Sequence, residues 1–244
     1  MTVFENVARL GSALAVVAHP DDESFGLGAV IAALTAAGAD VRVLSLTHGE
    51  ASTLGATSDL GAVRGRELTA AADQLGASQA LLHAFPDGGL GDIAPDVLDE
   101  VVERNRGAAA TFIVFEPGGV SGHPDHQSAT ASALRVARRH GLAVLQWGVV
   151  PKVCASLNAE FGTTFVPLHA EGCVDVAVDG TAQLAAMACH ESQARDNRVL
   201  RRRLELQGPL ERILLQVPTV ADGDGARADG AQDARTRRPQ AYPR

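Results

Sequence analysis

The sequence predicts an α/β fold with a mostly parallel sheet and helices on both faces. Three observations predict it. Short, nearly continuous apolar runs recur through the first two thirds of this 244-residue chain. Segments of helical character lie between them. Glycines close several of those helical segments: Gly38, Gly76 and Gly141 each follow one and suit C-terminal caps. Strands that are apolar throughout, alternating with helices, belong to a parallel sheet covered on both sides.

In chain order, residues 14–18 (LAVVA) read as a first buried strand and 28–37 as a helix rich in Ala, Val and Leu. Residues 41–47 form the next strand candidate and 60–75 the next helix. Strand 80–83 and helix 95–106 follow, the latter opened by a proline, which suits a first helical position. Strand 112–115 (FIVF), helix 127–139 and strand 143–149 complete the alternating part. The arrangement is Rossmann-like. After Val150 the pattern loosens into a less regular C-terminal section expected to cover the site. Residues 173–178 could supply one more strand. Residues 181–206 read as one long helix with Leu184, Met187 and Ala188 on one side. Residues 1–218 are read as one catalytic domain. From residue 219 the composition turns to Ala, Gly, Asp and Arg with almost nothing to bury, so 219–244 is expected to be a disordered tail.

Hydrophobic residues make up 46% of the chain and aromatics only 4%, so Ala, Val and Leu must fill most of the core. The net charge of −8 argues against a general nucleic-acid binder, which needs basic surface to neutralise phosphates. No apolar run approaches the ~20 residues of a membrane span, and the N-terminal apolar stretch reads as strand one, not as a signal peptide. Cys154, Cys173 and Cys189 have no CxxC spacing. They read as buried thiols in a reducing, cytoplasmic setting. Association into a homo-oligomer is left open.

Two clusters of ligand-type residues dominate the sequence: Ala18-His19-Pro20-Asp21-Asp22-Glu23 and His123-Pro124-Asp125-His126. Each follows a predicted strand. In a parallel α/β sheet the carboxyl ends of the strands share one edge, where ligands bind. The two clusters are therefore expected to meet there, with nitrogen and oxygen donors suited to a catalytic zinc. Taken singly, either cluster could be turn chemistry, because Pro and Asp favour turns and helix starts. Adjacent aspartates point different ways on extended backbone. One can thus ligate a metal while its neighbour faces water. Gly26-x-Gly28 after the first strand is an incomplete dinucleotide fingerprint and is set aside.

These clusters, with Thr47-His48-Gly49-Glu50, Arg64 with Glu67-Leu68, Phe85-Pro86-Asp87-Gly88 and His190-Glu191-Ser192-Gln193, resemble the LmbE/PIG-L family of metal-dependent N-deacetylases over about residues 12–195. The resemblance implies that His19, Asp22 and His126 bind Zn²⁺, for which Fe²⁺ or Co²⁺ could substitute at such donors. It implies that Asp21 is the general base. His123 would stabilise the oxyanion or protonate the leaving amine, with Asp125 orienting it and raising its pKa. Arg64, Asp87 and His190 would contact the substrate, although His190 could also be a helix-packing histidine. Some family members carry a tyrosine two residues before the first histidine of the second motif; here that position is Ser121. The expected activity is removal of the acetyl group from an N-acetylated amino sugar or its glycoside. The alternatives are an amidase of the same mechanism acting on a thiol conjugate or natural-product intermediate, and a non-catalytic sugar-binding protein.

Overall fold

The structure, a computed structural model, describes residues 2–218; the tail expected over 219–244 lies outside the described residues. Helix α1 (Val3–Leu10) opens the chain with a capping box, Thr2 and Glu5 each bonding the other's backbone N–H. Strands β1 (Ala13–Val17), β2 (Val41–Thr47), β3 (Gln79–Phe85), β4 (Thr111–Phe115) and β5 (Ala143–Gly148) alternate with α2 (Asp22–Phe25), α3 (Gly28–Ala36), α4 (Leu60–Gln74), α5 (Pro95–Arg106) and α6 (Pro124–His140). Next come α7 (Pro151–Phe161), β6 (Val174–Ala177), α8 (Thr181–Cys189), α9 (Glu191–Ala194), α10 (Arg198–Gln207) and β7 (Leu210–Gln216). The seven strands lie in the order β3-β2-β1-β4-β5-β7-β6. The first five are parallel, and β7 runs antiparallel to both β5 and β6.

Strand periodicity builds two cores. On β1, Ala13, Ala15 and Val17 face a cluster shared with Val30, Ile31, Leu34 and Leu68. Leu14 and Val16 face the other side, among Leu98, Val102, Ala133 and Val136 of α5 and α6. Both faces are covered, which is why β1 and β4 read as unbroken apolar runs. The chain leaves β1 towards β2 on one side and later returns to β4 on the other. The carboxyl ends of β1 and β4 therefore flank the point where strand order reverses, the place where open α/β sheets bind ligands.

The C-terminal section departs from expectation. The single helix read over 181–206 is three helices. His190 takes a non-helical conformation (φ −86°, ψ 56°), and Asn197 caps α10 through its side chain. Helical propensity runs through both positions, but the buried bond of His190 described below overrides it. Residues 150–172, which carry no readable motif, contain α7, opened by Pro151 and closed by Gly162 in the left-handed conformation. Strand β7 was not anticipated. Of the cysteines only Cys154 is buried; Cys173 and Cys189 are half-exposed, and all three are free thiols. Among the described residues no helix is long and apolar enough to cross a membrane.

Leu14 is fully buried at the centre of the sheet. Leu14→Ala is expected to destabilise the fold by about 2–5 kcal/mol, the usual cost of such a cavity, measured by urea unfolding.

Candidate metal centre

The two ligand clusters meet. After β1 the chain turns through Ala18–Asp21 into α2, and Asp22 folds back on its own loop. Its Oδ2 accepts the backbone N–H of Ala18 (3.2 Å) and of His19 (3.0 Å). Its Oδ1 then lies 3.1 Å from His126 Nε2. His126 stands on the first turn of α6, whose N-cap is His123. His126 Nδ1 is 3.2 Å from the carbonyl of Gly119, which takes its proton and leaves the Nε2 lone pair facing inward. His19 is oriented from the opposite edge. Its Nε2 donates towards Asp87 Oδ1 (3.1 Å) and Asp125 Oδ2 (3.3 Å), leaving Nδ1 free at 3.3 Å from His126 Nε2.

The ligand atoms of His19, Asp22 and His126 lie within 4.8 Å of one another. Tetrahedral bonds of 2.0–2.1 Å imply ligand atoms roughly 3.3 Å apart, and the separations of 3.1 Å (Asp22 to His126) and 3.3 Å (His19 to His126) match this. Two histidines and one carboxylate leave a fourth direction open, the pattern of catalytic rather than structural zinc. The surroundings favour a cation. Burial opposes charge on His19, yet Asp125, Asp22 and Asp87 push its pKa up to about 12. Burial likewise opposes ionisation of Asp22, but His126 and His19 hold it well below the usual carboxylate range.

Asp21 stands beside this centre in an uncommon backbone conformation, φ 128°, rare for any residue with a Cβ. Its Oδ2 pairs with Arg64 at 3.0 Å. Burial raises its pKa to about 6, with Arg64 lowering and Asp22 raising it. Its N–H donates to Glu23 Oε2 at 2.9 Å. Glu23 and His190 are both fully inaccessible to solvent and bond to each other at 2.6 Å. Behind them Glu67 accepts the N–H and hydroxyl of Ser192, and Gln193 accepts the hydroxyl of Ser52. The His190–Gln193 segment therefore clasps the loop that presents Asp21.

Three expected roles are corrected by these contacts. The Asp125 carboxylate does not orient His123; it accepts from Gly88 N–H (2.8 Å) and Leu90 N–H (3.0 Å) and faces His19. His123 is held instead by the backbone N–H of Asp125, which donates to its Nδ1 at 3.2 Å, so the neutral ring carries its proton on Nε2. The pKa of His123 is lowered, not raised, by burial and by the nearby His126 and His19. Arg64 lines the cavity, and its guanidinium also bonds the carbonyls of Gly49 and Pro20 and pairs with Asp21, so it fixes the base as well as facing the substrate space. His190 is sealed behind Asp21 and does not line the cavity. Asp87 does line it, with Oδ2 accepting from Ala51 N–H at 2.8 Å. Ser121 also lines the cavity, of about 510 Å³, above the metal site.

Glu116 escaped the sequence reading. It is buried at the end of β4, and its carboxylate accepts the N–H groups of Gly118 and Val120. This holds Val120 at φ 62°, an outlier for a β-branched residue, and aims the Gly119 carbonyl at His126. An acid ending an apolar strand, followed by Pro117 and the Gly118-Gly119 pair ahead of the ligand motif, was the available signal.

Fold and site together define an α/β protein with a water-open centre of two histidines and one aspartate at the strand-order reversal. Residues 14–137 match the PIG-L family profile, described as GlcNAc-PI de-N-acetylase, and the chain belongs to this family. It is 30% identical over 227 residues to the 1D-myo-inositol 2-acetamido-2-deoxy-alpha-D-glucopyranoside deacetylase of Corynebacterium diphtheriae, covering 74% of this chain and 75% of that one. It is 34% identical over 140 residues to the enzyme of the same name from Mycobacterium avium, covering 46% of this chain and 47% of that one. The chain spans about half the length of the first curated relatives it matches. A deacetylase involved in the teicoplanin biosynthetic pathway shares the fold (TM-score 0.64, 19% identity, 86% of this chain, 99% of that one). So does the 4-carboxy-2-hydroxymuconate hydratase of Pseudomonas putida KT2440 (TM-score 0.59, 16% identity, 87% of this chain, 98% of that one). One fold hosts both names, so the reaction must be argued from the site.

His19→Ala and His126→Ala are each expected to preserve the circular dichroism spectrum while zinc content, measured by mass spectrometry, falls well below one per chain. Full occupancy in both variants would remove the ligand assignment.

Proposed function

We propose that the protein is a metal-dependent N-deacetylase acting on an N-acetylated amino sugar or its glycoside. The observation that carries this reading is the pairing of an open two-histidine, one-aspartate centre with a second carboxylate, Asp21, which lines the same cavity and is held by Arg64. Zn²⁺ fits the donors, and Fe²⁺ or Co²⁺ would be accepted by the same atoms. When bound, such an ion lowers the pKa of water towards ~7 and polarises an acyl oxygen.

The chain's own groups supply the rest. Asp21, with Oδ2 pinned by Arg64, uses Oδ1 to take the proton of the attacking water. His123 faces the same cavity with its one proton on Nε2, so as a neutral donor it stabilises charge developing on the acyl oxygen, while the proton taken up by Asp21 is the one passed to the departing amine. Asp87, Ser52 and the backbone of Gly88 offer hydrogen bonds to sugar hydroxyls. The relatives' names support the substrate class. An amidase working on a thiol conjugate or a natural-product intermediate would use the same groups. A non-catalytic sugar binder has no use for a buried aspartate held in a strained conformation beside three ligands. Incubating the zinc-loaded protein with N-acetylglucosamine and its glycosides, and measuring acetate, tests the reading. No acyl release from any N-acyl sugar or conjugate would overturn it.

Asp21→Asn is expected to retain zinc and lose at least ~10²-fold in kcat, the scale of general-base loss, whereas Asp22→Asn loses the metal. Exchange of these two behaviours would exchange the two roles. His190→Phe is expected to retain zinc and KM but to lower kcat, because Glu23 then lacks its partner and Asp21 its support. His190→Gln, which keeps a donor, should recover much of the loss. A parallel fall in zinc content would assign the pair to the metal instead.

A further inference from the structure

The cavity at the metal centre has two unlike halves. Over β2 and β3 it is lined by Ser52, Asp87 and Gly88, with Gln193 bonded to Ser52. Over β4 and β5 it is largely apolar, although Ser121, Asn197 and Arg203 also belong to the cavity lining. Phe115 and Trp147 form the floor, and Phe25, Phe165, Val199 and Leu200 the walls. This apolar half begins at the metal centre itself: the Phe115 ring centroid is 5.1 Å from that of His126 and 5.5 Å from that of Trp147. Gly26 makes the floor possible, because a Cβ there would meet the Phe115 ring and lie 3.1 Å from Trp147.

Arg203 also lines the cavity, with its guanidinium over the Trp147 ring at 5.4 Å from the centroid and its N–H groups engaged by the protein. It is only 3% exposed, and it donates to the Phe25 carbonyl and to Gln207. Glu211 stands close enough to act on its charge and also accepts Trp147 Nε1 at 2.6 Å. Sugar hydroxyls placed against these walls would lose water without gaining partners, which is unfavourable. A single methyl group fills little of the space. In a trans amide the nitrogen substituent and the acyl substituent leave the carbonyl in opposite directions. With the amide at the metal centre, the two substituents therefore enter different halves.

Resting on the metal-dependent amide hydrolysis proposed above and widening it from deacetylase to deacylase, we propose that the compartment between Phe25, Trp147, Phe165 and Leu200 receives the acyl substituent, and that acyl groups longer than acetyl, an aliphatic chain of several carbons or an aromatic ring, are accepted and preferred over acetyl. The amino sugar occupies the polar half. Specificity for the acyl chain is set by β4, β5 and α10, and specificity for the amine by the loops after β2 and β3.

The test is a chain-length series. The zinc-loaded full chain is given N-acetyl-, N-butanoyl-, N-hexanoyl- and N-benzoylglucosamine, and released glucosamine is measured. The expected result is a rise in kcat/KM of at least ~10-fold from acetyl to hexanoyl, well within what burying four methylenes supplies. Val199→Asp and Leu200→Asp should bring the hexanoyl-to-acetyl ratio back towards one; the series on the unsubstituted chain is decisive even if neither variant folds. Hydrolysis that is flat or falls with chain length overturns the proposal and leaves the amide-hydrolysis reading standing. A gain from lengthening an alkyl glycoside of N-acetylglucosamine, with none from lengthening the acyl group, puts the amine side in the compartment and also overturns it. Trp147 is the chain's single tryptophan, so its fluorescence reports occupancy without turnover. If no substrate is hydrolysed, the amide-hydrolysis reading falls. A saturable Trp147 response to N-hexanoylglucosamine but not to N-acetylglucosamine would still uphold the apolar compartment, and no response would remove it.

Discussion

The metal centre depends on the pairing of β1 with β4. Their ladder runs Ala13 with Thr111, Leu14 with Phe112 and Ala15 with Ile113, between two covered faces. A one-residue slip would turn every side chain to the wrong face and bury none of them correctly, so the register is strongly specified. That register fixes where the chain leaves each strand. His19 and His126, distant in sequence, are thereby brought to 3.3 Å with no contact of their own needed to hold them together. The sheet brings together three donors that, as like-charged or competing polar groups, have little reason to approach one another in the absence of an ion.

Around the donors every orienting contact is made by a backbone group or a buried carboxylate. Asp87 and Asp125 fix the ring of His19, Gly119 fixes that of His126, and the N–H groups of Ala18 and His19 fix Asp22. Backbone conformations such as those of Asp21 and Val120 each cost of order 1–3 kcal/mol and persist only where their surroundings over-determine them. Here the surroundings are Glu23 with His190 and Arg64 for one, and Glu116 for the other. Strain is thus confined to the two loops that flank the centre, while β1 and β4 beneath them are regular.

Much of this was legible in the sequence. Strands β1 and β4 announce themselves because burial on both faces demands apolar residues at every position, as in FIVF over 112–115. The ligands were legible because they sit directly after such runs. What stayed hidden depends on tertiary partners. Leu210–Gln216 places charged Glu211 and Arg212 within an otherwise apolar strand, and only Trp147 and Asp175 explain them. His190 looks like a residue inside a helix until Glu23 is in view. Asp125 stands nearest His123 in sequence, yet its side chain points across the sheet edge to His19, and adjacency in the chain could not reveal that direction.

The clasp formed by His190–Gln193 has a consequence for how such a protein can change over time. The three donors come from the loop after β1, from α2 and from α6, all before residue 127, whereas His190, which backs the Glu23 that holds Asp21, arrives from a segment more than sixty residues later. Affinity for the ion and one part of the support of catalysis are therefore written in separate stretches of the chain. Substitutions in the later stretch can silence turnover and leave an intact ion-binding protein behind. A descendant of this fold could in that way become a sensor or a carrier without ever passing through an unfolded or metal-free ancestor.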